Sequence, residues 1–271
     1  LNLRIVPGIL ADTQRAFDAL WEHPKRPPGK PALLSISFGS LPAIRLACHP
    51  DYAAKIGGLL TFGAYAQWQR AFRFCLEGDG AQAPHDPLNY PVIYLNLRDH
   101  MPAGHNEERL CEAWFEFIRR TWGRPAMRQD DAWKDVAYAL EQGLESEDRR
   151  YFLEGCGLMP DSDHKVDKAI EAASHLVWLD PRPYMHHLQT TLVAVHGRQD
   201  DVIPYEESQK LVDACPPQID KRVHTTGLYG HTRVNDGRGW FGQLRTLVAE
   251  ANTTYKILWD LSSLGKLRSS L

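Results

Sequence analysis

The sequence predicts an α/β protein with a mostly parallel sheet flanked by helices and interrupted by a long helical insertion. Two short apolar runs, Ala32 to Ile36 and Ile56 to Phe62, are joined by one helix-compatible segment. That is a βαβ unit, which implies a parallel pair and a right-handed crossover. A third apolar run, Leu192 to Gly197, resumes the strand pattern only after a stretch of helical spacing far longer than a crossover needs.

The elements follow in order. Pro7 to His23 carries Ile9, Leu10, Ala16, Phe17, Leu20 and Trp21 at helical spacing, with Asp12 near its start, where the helix dipole favours an anion. Pro24 to Pro31, rich in proline and lysine, ends that helix. Ala32 to Ile36 reads as a strand buried on both faces, the usual state inside a parallel sheet. A helix from Ala43 to about Cys48 is stopped by His49-Pro50, and Ile56 to Phe62 is the second strand. Glu107 to Trp122, Asp130 to Leu144 and Val166 to Trp178 show amphipathic helical periods, with loops at Gly78-Asp79-Gly80 and Met159 to Asp163. After Leu192 to Gly197 come a helix over Pro204 to Ala214, a weaker strand over about Ile219 to His224 and a last helix from about Trp240 to Trp259. The expected division is a first core segment at 1–64, a helical cap or lid at 65–187, a second core segment at 188–260 and a tail at 261–271.

Bulk properties exclude several function classes. The 31 basic and 34 acidic residues are intermixed and leave a net charge of −3, which disfavours a nucleic-acid partner or a polybasic membrane patch. No apolar run is long enough to span a bilayer. Cys48, Cys75, Cys111, Cys156 and Cys215 are odd in number and form no C-x-x-C pair, so free thiols in a reducing, cytoplasmic setting are expected.

The chemistry centres on Ser35-Ile36-Ser37-Phe38-Gly39, where an apolar strand ends at small residues and a helix begins. This pattern reads as a nucleophile elbow, a sharp strand-to-helix turn that lifts the Ser37 hydroxyl clear of the sheet, with Ser35 in place of the usual first glycine. A serine nucleophile needs an imidazole base, and the base needs an acid to orient it. Asp200 and Asp201 follow the Leu192 to Gly197 strand, at the sheet edge where parallel sheets hold their ligands. His231 sits in the loop Gly227-Leu228-Tyr229-Gly230-His231-Thr232, whose glycines allow a sharp bend.

Taken together, S-I-S-F-G, H-G-R-Q-D-D-V-I-P and G-L-Y-G-H-T resemble the α/β-hydrolase superfamily, and they stand in its order of nucleophile, acid and base. The resemblance covers about Pro7 to Trp259, although the insertion itself matches no known pattern. It implies an α/β-hydrolase fold with Ser37 as nucleophile, His231 as general base and then acid, and Asp200 as the acid that fixes the imidazole. Asp200 is preferred over Asp201 by the pattern G-x-x-D-x-x-[VI]-P counted from Gly197, which leaves Asp201 as a solvated neighbour. It also implies that the Phe38 N–H gives half of an oxyanion hole. The second donor and the N-terminal strands of the sheet are expected in an upstream portion, since the chain begins at Leu1 inside the helix before the elbow strand.

The resulting expectation is a serine hydrolase acting on a small-molecule ester, thioester or amide through an acyl-enzyme, with an esterase first and a peptidase as alternative. The rival from another class is a catalytically impaired hydrolase-like protein that binds a ligand or partner. The reading needs no cofactor and no metal, and a homodimer is compatible with it. Tyr65, just after the second strand, is the candidate substrate contact. Trp68, Phe72, Phe74, Trp114, Phe115, Phe117 and Trp122 read mainly as the insertion's core, and Arg70, Arg73 and Arg98 as a solvated face. His85, His100, His105, His186 and His187 match no metal spacing, His196 reads as shaping the acid turn, and His224 as an ordinary polar strand residue.

Overall fold

The computed structural model describes residues 4–78, 86–104, 106–161, 164–227 and 240–264, with 240–249 described by backbone alone. In chain order the helix α1 (Gly8–Trp21) precedes β1 (Ala32–Ile36), α2 (Ser40–Ala47), α3 (Pro50–Ala53) and β2 (Gly58–Phe62). Helices α4 (Trp68–Glu77), α5 (Tyr90–Leu97), α6 (Glu107–Thr121), α7 (Trp133–Glu141), α8 (Ser146–Gly155), α9 (Lys165–Ala172) and α10 (Arg182–Met185) follow. The chain then returns through β3 (Leu192–Gly197), α11 (Glu206–Asp213), β4 (Lys221–Thr226) and α12 (Trp240–Ser263).

The chain divides into two compact units, one formed by residues 4–5 with Gln69–Val177 and the other by Val6–Trp68 with the chain from Trp178 onward. The second unit contains a four-stranded sheet in the order β1-β2-β3-β4, parallel throughout. Its register aligns Leu33 with Leu59, Leu192 and Lys221, and Leu34 with Leu60, Val193 and Arg222. Side chains alternate between faces along a strand. Leu33, Leu59, Leu192, Ala194 and Val223 therefore share one face, packed with Phe17, Ile44, Ala47, Leu211 and Val212 from α1, α2 and α11. Leu60, Val193 and Val195 share the other face and pack against Ile257 and Leu264, within and just beyond α12.

One expectation is corrected here. On β1, Leu34 and Ile36 are 60% and 58% exposed, so that strand is not buried on both faces. It is an edge strand whose described neighbour is β2 alone, and its second face lacks the cover that Leu60 and Val193 have on β2 and β3.

The helical unit holds its own core. In α6, the Asn106 side chain accepts from the Arg109 N–H, the first turn carries Glu107 and Glu108, and the last turn carries Arg119 and Arg120. Each charge is placed to oppose the helix dipole. Leu110, Trp114, Phe117 and Ile118 are buried, and the Trp114 indole N–H donates to the Phe152 carbonyl at 3.2 Å. A Cβ at Gly155 would lie 2.6 Å from Trp114 ring atoms. Gly155→Ala is therefore expected to lower stability by about 1–3 kcal/mol through overpacking, measured as the midpoint of thermal unfolding. Arg98, expected on a solvated face, is buried, because Glu107 at 2.8 Å and the Pro102 carbonyl at 2.7 Å hold its guanidinium.

None of the five cysteines is in a disulfide, and Cys111 alone among them is not buried. Burial pushes the Cys48 thiol up to about 12 and the Cys215 thiol up to about 11, and raises that of Cys156 as well. The thiolate is the nucleophile, so a raised pKa keeps these groups neutral and unreactive near pH 8. Burial raises the Cys111 thiol too, so partial exposure sets the order: in the native protein iodoacetamide is expected to modify Cys111 first, and the buried four only on unfolding, as read by mass spectrometry of the alkylated peptides.

Candidate active site

The strand-to-helix turn after β1 holds a non-glycine residue in the left-handed region. Ile36 is extended, with φ −129° and ψ 135°, and Ser37 turns to φ 53° before a 3₁₀ turn over Ser37–Gly39 leads into α2. The other described non-glycine residues with positive φ are Asp130, Asp131 and His164, types that adopt this region readily. Serine does so at a cost of about 1–2 kcal/mol, a cost the fold sustains at a strand's C-terminal end. Ser37 and Phe38 are both half-buried. Phe38 lies in the first turn of helical backbone, whose leading N–H groups have no intrahelical acceptor.

The sequence departure at Ser35 has a structural account. Ser35 is buried on the α2 face, with its hydroxyl 3.4 Å from Ser40 Oγ and 3.4 Å from the Leu60 carbonyl oxygen, so only a small side chain fits beneath the start of α2. Gly39, by contrast, has φ −60°, and an added Cβ would meet nothing within 4 Å among the described residues. The small position that packing demands is Ser35 and not Gly39.

Asp200 stands in the turn after β3. The register places Ile36 beside Phe62 and Phe62 beside Val195, so the ends of β1, β2 and β3 share one sheet edge, with Ser37 and Asp200 both following it. Asp200 is 2% exposed, and its Oδ1 accepts the Val202 and Ile203 N–H groups at 2.9 and 2.8 Å. His196 Nε2 faces two acceptors, the Ile203 carbonyl at 3.0 Å and Asp200 Oδ2 at 3.2 Å, so it carries the proton. Ser208 Oγ lies 2.6 Å from His196 Nδ1 and completes the chain. His196 thus shapes the acid turn. Asp201, expected as a solvated neighbour, is instead buried, at 3% exposure.

The loop after β2 reaches the same edge. Glu207 in α11 is buried and accepts the Ala66 and Gln67 N–H groups at 3.1 and 2.7 Å, with Lys210 Nζ at 3.0 Å. Tyr65 precedes this clamp, and burial, with Asp180 nearby, raises the pKa of its phenol. The buried Tyr65 hydroxyl has no hydrogen-bond partner among the described residues. Strand β4 ends level with β3, Thr226 pairing with Gly197, and leads through Gly227 towards His231. His231 lies outside the described residues, as do His85 and His105.

The chain is similar to several solved structures. An acylaminoacyl peptidase of Pyrococcus horikoshii is 9% identical over 96% of this chain and 29% of its own, with a TM-score of 0.44. An enol-lactonase of Burkholderia xenovorans LB400 is 13% identical over 94% of this chain and 74% of its own, with a TM-score of 0.38. A monoacylglycerol lipase of Paleococcus ferrophilus is 14% identical over 90% of this chain and 75% of its own, with a TM-score of 0.36. No protein-family model matches the chain, and no curated protein sequence matches it.

Among the described residues no group of three or more His, Cys, Asp or Glu side chains is placed to hold a metal, and no helix is long and apolar enough to cross a membrane. His100 Nε2 lies 2.8 Å from His175 Nδ1. His224 Nε2 meets Asp260 Oδ2 at 2.6 Å, which ties β4 to α12 and makes His224 more than an ordinary polar strand residue. The carboxylates of Glu207, Glu250 and Asp260 are buried anchors of this unit that sequence spacing did not single out. The acidic first turn of α11, Glu206-Glu207, was the one available signal, and a helix dipole explains such a pair equally well.

Proposed function

We propose that this chain is a serine hydrolase of the α/β-hydrolase type, cleaving a carboxylic ester, or else a thioester or amide, through an acyl-enzyme. The observation that carries the reading is the left-handed Ser37 at the end of a parallel strand, at the edge that Asp200 also follows. In this scheme Ser37 Oγ adds to the substrate carbonyl while His231 takes its proton. The Phe38 N–H donates to the oxyanion, an interaction worth about 10²–10³ in rate for each donor. His231 then protonates the leaving group as the carbonyl–heteroatom bond breaks. Water adds to the acyl carbon, the acid departs and the proton returns to Ser37. Asp200, itself fixed by two backbone amides and His196, holds the imidazole in the productive tautomer. Tyr65, whose buried hydroxyl at the same edge has no hydrogen-bond partner among the described residues, is the candidate contact for the acyl part. The free cysteines accord with a cytoplasmic setting.

A fluorophosphonate probe tests this directly. Attack by Ser37 Oγ on phosphorus expels fluoride and leaves a stable phosphonyl-serine. One label per chain, mapped by mass spectrometry to the peptide containing Ser37, is expected. A folded protein that takes no label, or takes it elsewhere, rules the reading out.

A further inference from the structure

The helical unit holds a cavity of its own, lined by the end of α4, the start of α5 and the segment that runs from Gly157 into α9. Its volume of about 470 Å³ is in the range of small-molecule sites. The lining joins the rings of Tyr90 and Tyr94 and the apolar Val166 to three carboxylates, Glu77, Asp161 and Asp167. No Lys or Arg is among the described residues that line it. The cations close by are already engaged: Lys165 lies 2.7 Å from Glu154 and 3.6 Å from Asp161 Oδ1, and Arg73 lies 2.8 Å from Asp167. The charged lining of the cavity is therefore wholly acidic.

Two of these groups are held in place by the fold. The Tyr90 hydroxyl donates to the Leu76 carbonyl, and its ring is seated on Gly157, where φ is 70° and a Cβ would lie 3.1 Å from the ring. Asp161 Oδ2 accepts the Val166 N–H at 2.9 Å, which caps the first turn of α9 and leaves that oxygen a second lone pair. Tyr94 is the odd member. It is 1% exposed and packs its ring edge-on against Trp114 at 5.6 Å, yet its hydroxyl has no hydrogen-bond partner among the described residues. A buried phenol ordinarily finds one. Burial, with Asp161 and Glu154 nearby, raises the pKa of this phenol, so it stays neutral and its oxygen can accept. An acidic cavity that offers acceptors between aromatic faces suits a cation that carries N–H donors.

We propose that this cavity binds an organic primary ammonium ion, whose N–H groups donate to the Asp161 carboxylate and the Tyr94 oxygen while its carbon body lies against Tyr90 and Val166. A quaternary ammonium would meet the same rings and charge but has no hydrogen to donate. The site does not depend on the role of Ser37.

Isothermal titration calorimetry of the full chain with 2-phenylethylammonium tests this. One site per chain, half-saturated at about 1 mM or below, is expected. The N-trimethylated analogue, which has no N–H, and 3-phenylpropanoate, which reverses the charge, are expected to bind at least about tenfold more weakly. Asp161→Asn keeps an oxygen for the Val166 N–H and removes the charge, so it is expected to weaken the amine at least about tenfold. Tyr94→Phe removes one oxygen and leaves the ring on Trp114, and is expected to weaken it about two- to tenfold. No saturable binding up to about 10 mM overturns the proposal, as does equal affinity for 3-phenylpropanoate or an affinity unchanged in both variants. Should Asp161→Asn fail to fold, Tyr94→Phe decides alone, and an unchanged affinity there overturns the site.

Discussion

Ser37→Ala is expected to abolish fluorophosphonate labelling and to lower hydrolysis of an activated ester by about 10⁴-fold or more, since no second nucleophile takes over a lost acyl-enzyme route. The same position gives a stability signature that does not depend on finding a substrate. At an ordinary position alanine exceeds glycine in stability by about 0.5–1 kcal/mol, because glycine loses more backbone freedom on folding. At φ 53° the order inverts, since alanine keeps the clash that glycine lacks, of about 1–2 kcal/mol. Ser37→Gly is thus expected to unfold at higher denaturant than Ser37→Ala while both are inactive. The usual order would mean that Ser37 does not hold the elbow conformation in solution.

The second large effect belongs to Asp200. Asp200→Asn is expected to lower turnover about 10³–10⁴-fold, because the amide no longer holds the base in the productive tautomer. Asp200→Ala adds a structural loss. It strands the Val202 and Ile203 N–H groups, bound at 2.9 and 2.8 Å, and removes one of the two acceptors of His196 Nε2. Each buried group left without a partner costs about 1–3 kcal/mol, so a destabilisation of about 3–5 kcal/mol is expected from urea unfolding. Asn retains an oxygen for the two amides but turns an NH2 towards His196 Nε2–H where Oδ2 accepted, so a smaller loss of about 1–3 kcal/mol is expected. If Asp201→Asn rather than Asp200→Asn carried the loss of turnover, the acid would be reassigned.

How much of this was legible in the sequence depended on how local the cause was. The runs Leu33-Leu34 and Leu59-Leu60 and the segment Leu192 to Gly197 announced strands because apolar continuity is a local property, and β1 and β3 fall where that reading placed them. The turn from β1 into α2 was readable because strand, small residue and helix adjoin within a few positions. The exposure of Leu34 and Ile36 was not readable, since an edge strand and a central one share the same composition and differ only in their neighbours. Arg98 and Asp201 failed for a related reason: a charged side chain is placed in solvent by default, and only the fold brings Glu107 to one and buries the other. Glu207 and Glu250 lie far along the chain from the amides of Ala66, Gln67 and Gly227 or in a helix with no motif, so their work is invisible without coordinates.

The connection between β2 and β3 bears on how the protein assembles. Phe62 and Leu192 lie on adjacent strands although the whole helical unit stands between them in sequence. Closing so long a loop in an open chain is entropically slow, and parallel pairing cannot form until it is closed. A helical unit that acquires its own core first, around Trp114, Phe117 and Phe152, shortens the effective loop to residues 63–68 and 178–191, which join it to the two strands. The order of events would then be helices before sheet. Only the last step, the docking of β3 and β4, would bring the Asp200 turn to the edge that Ser37 follows, so burial of Asp200 would time the completion of folding.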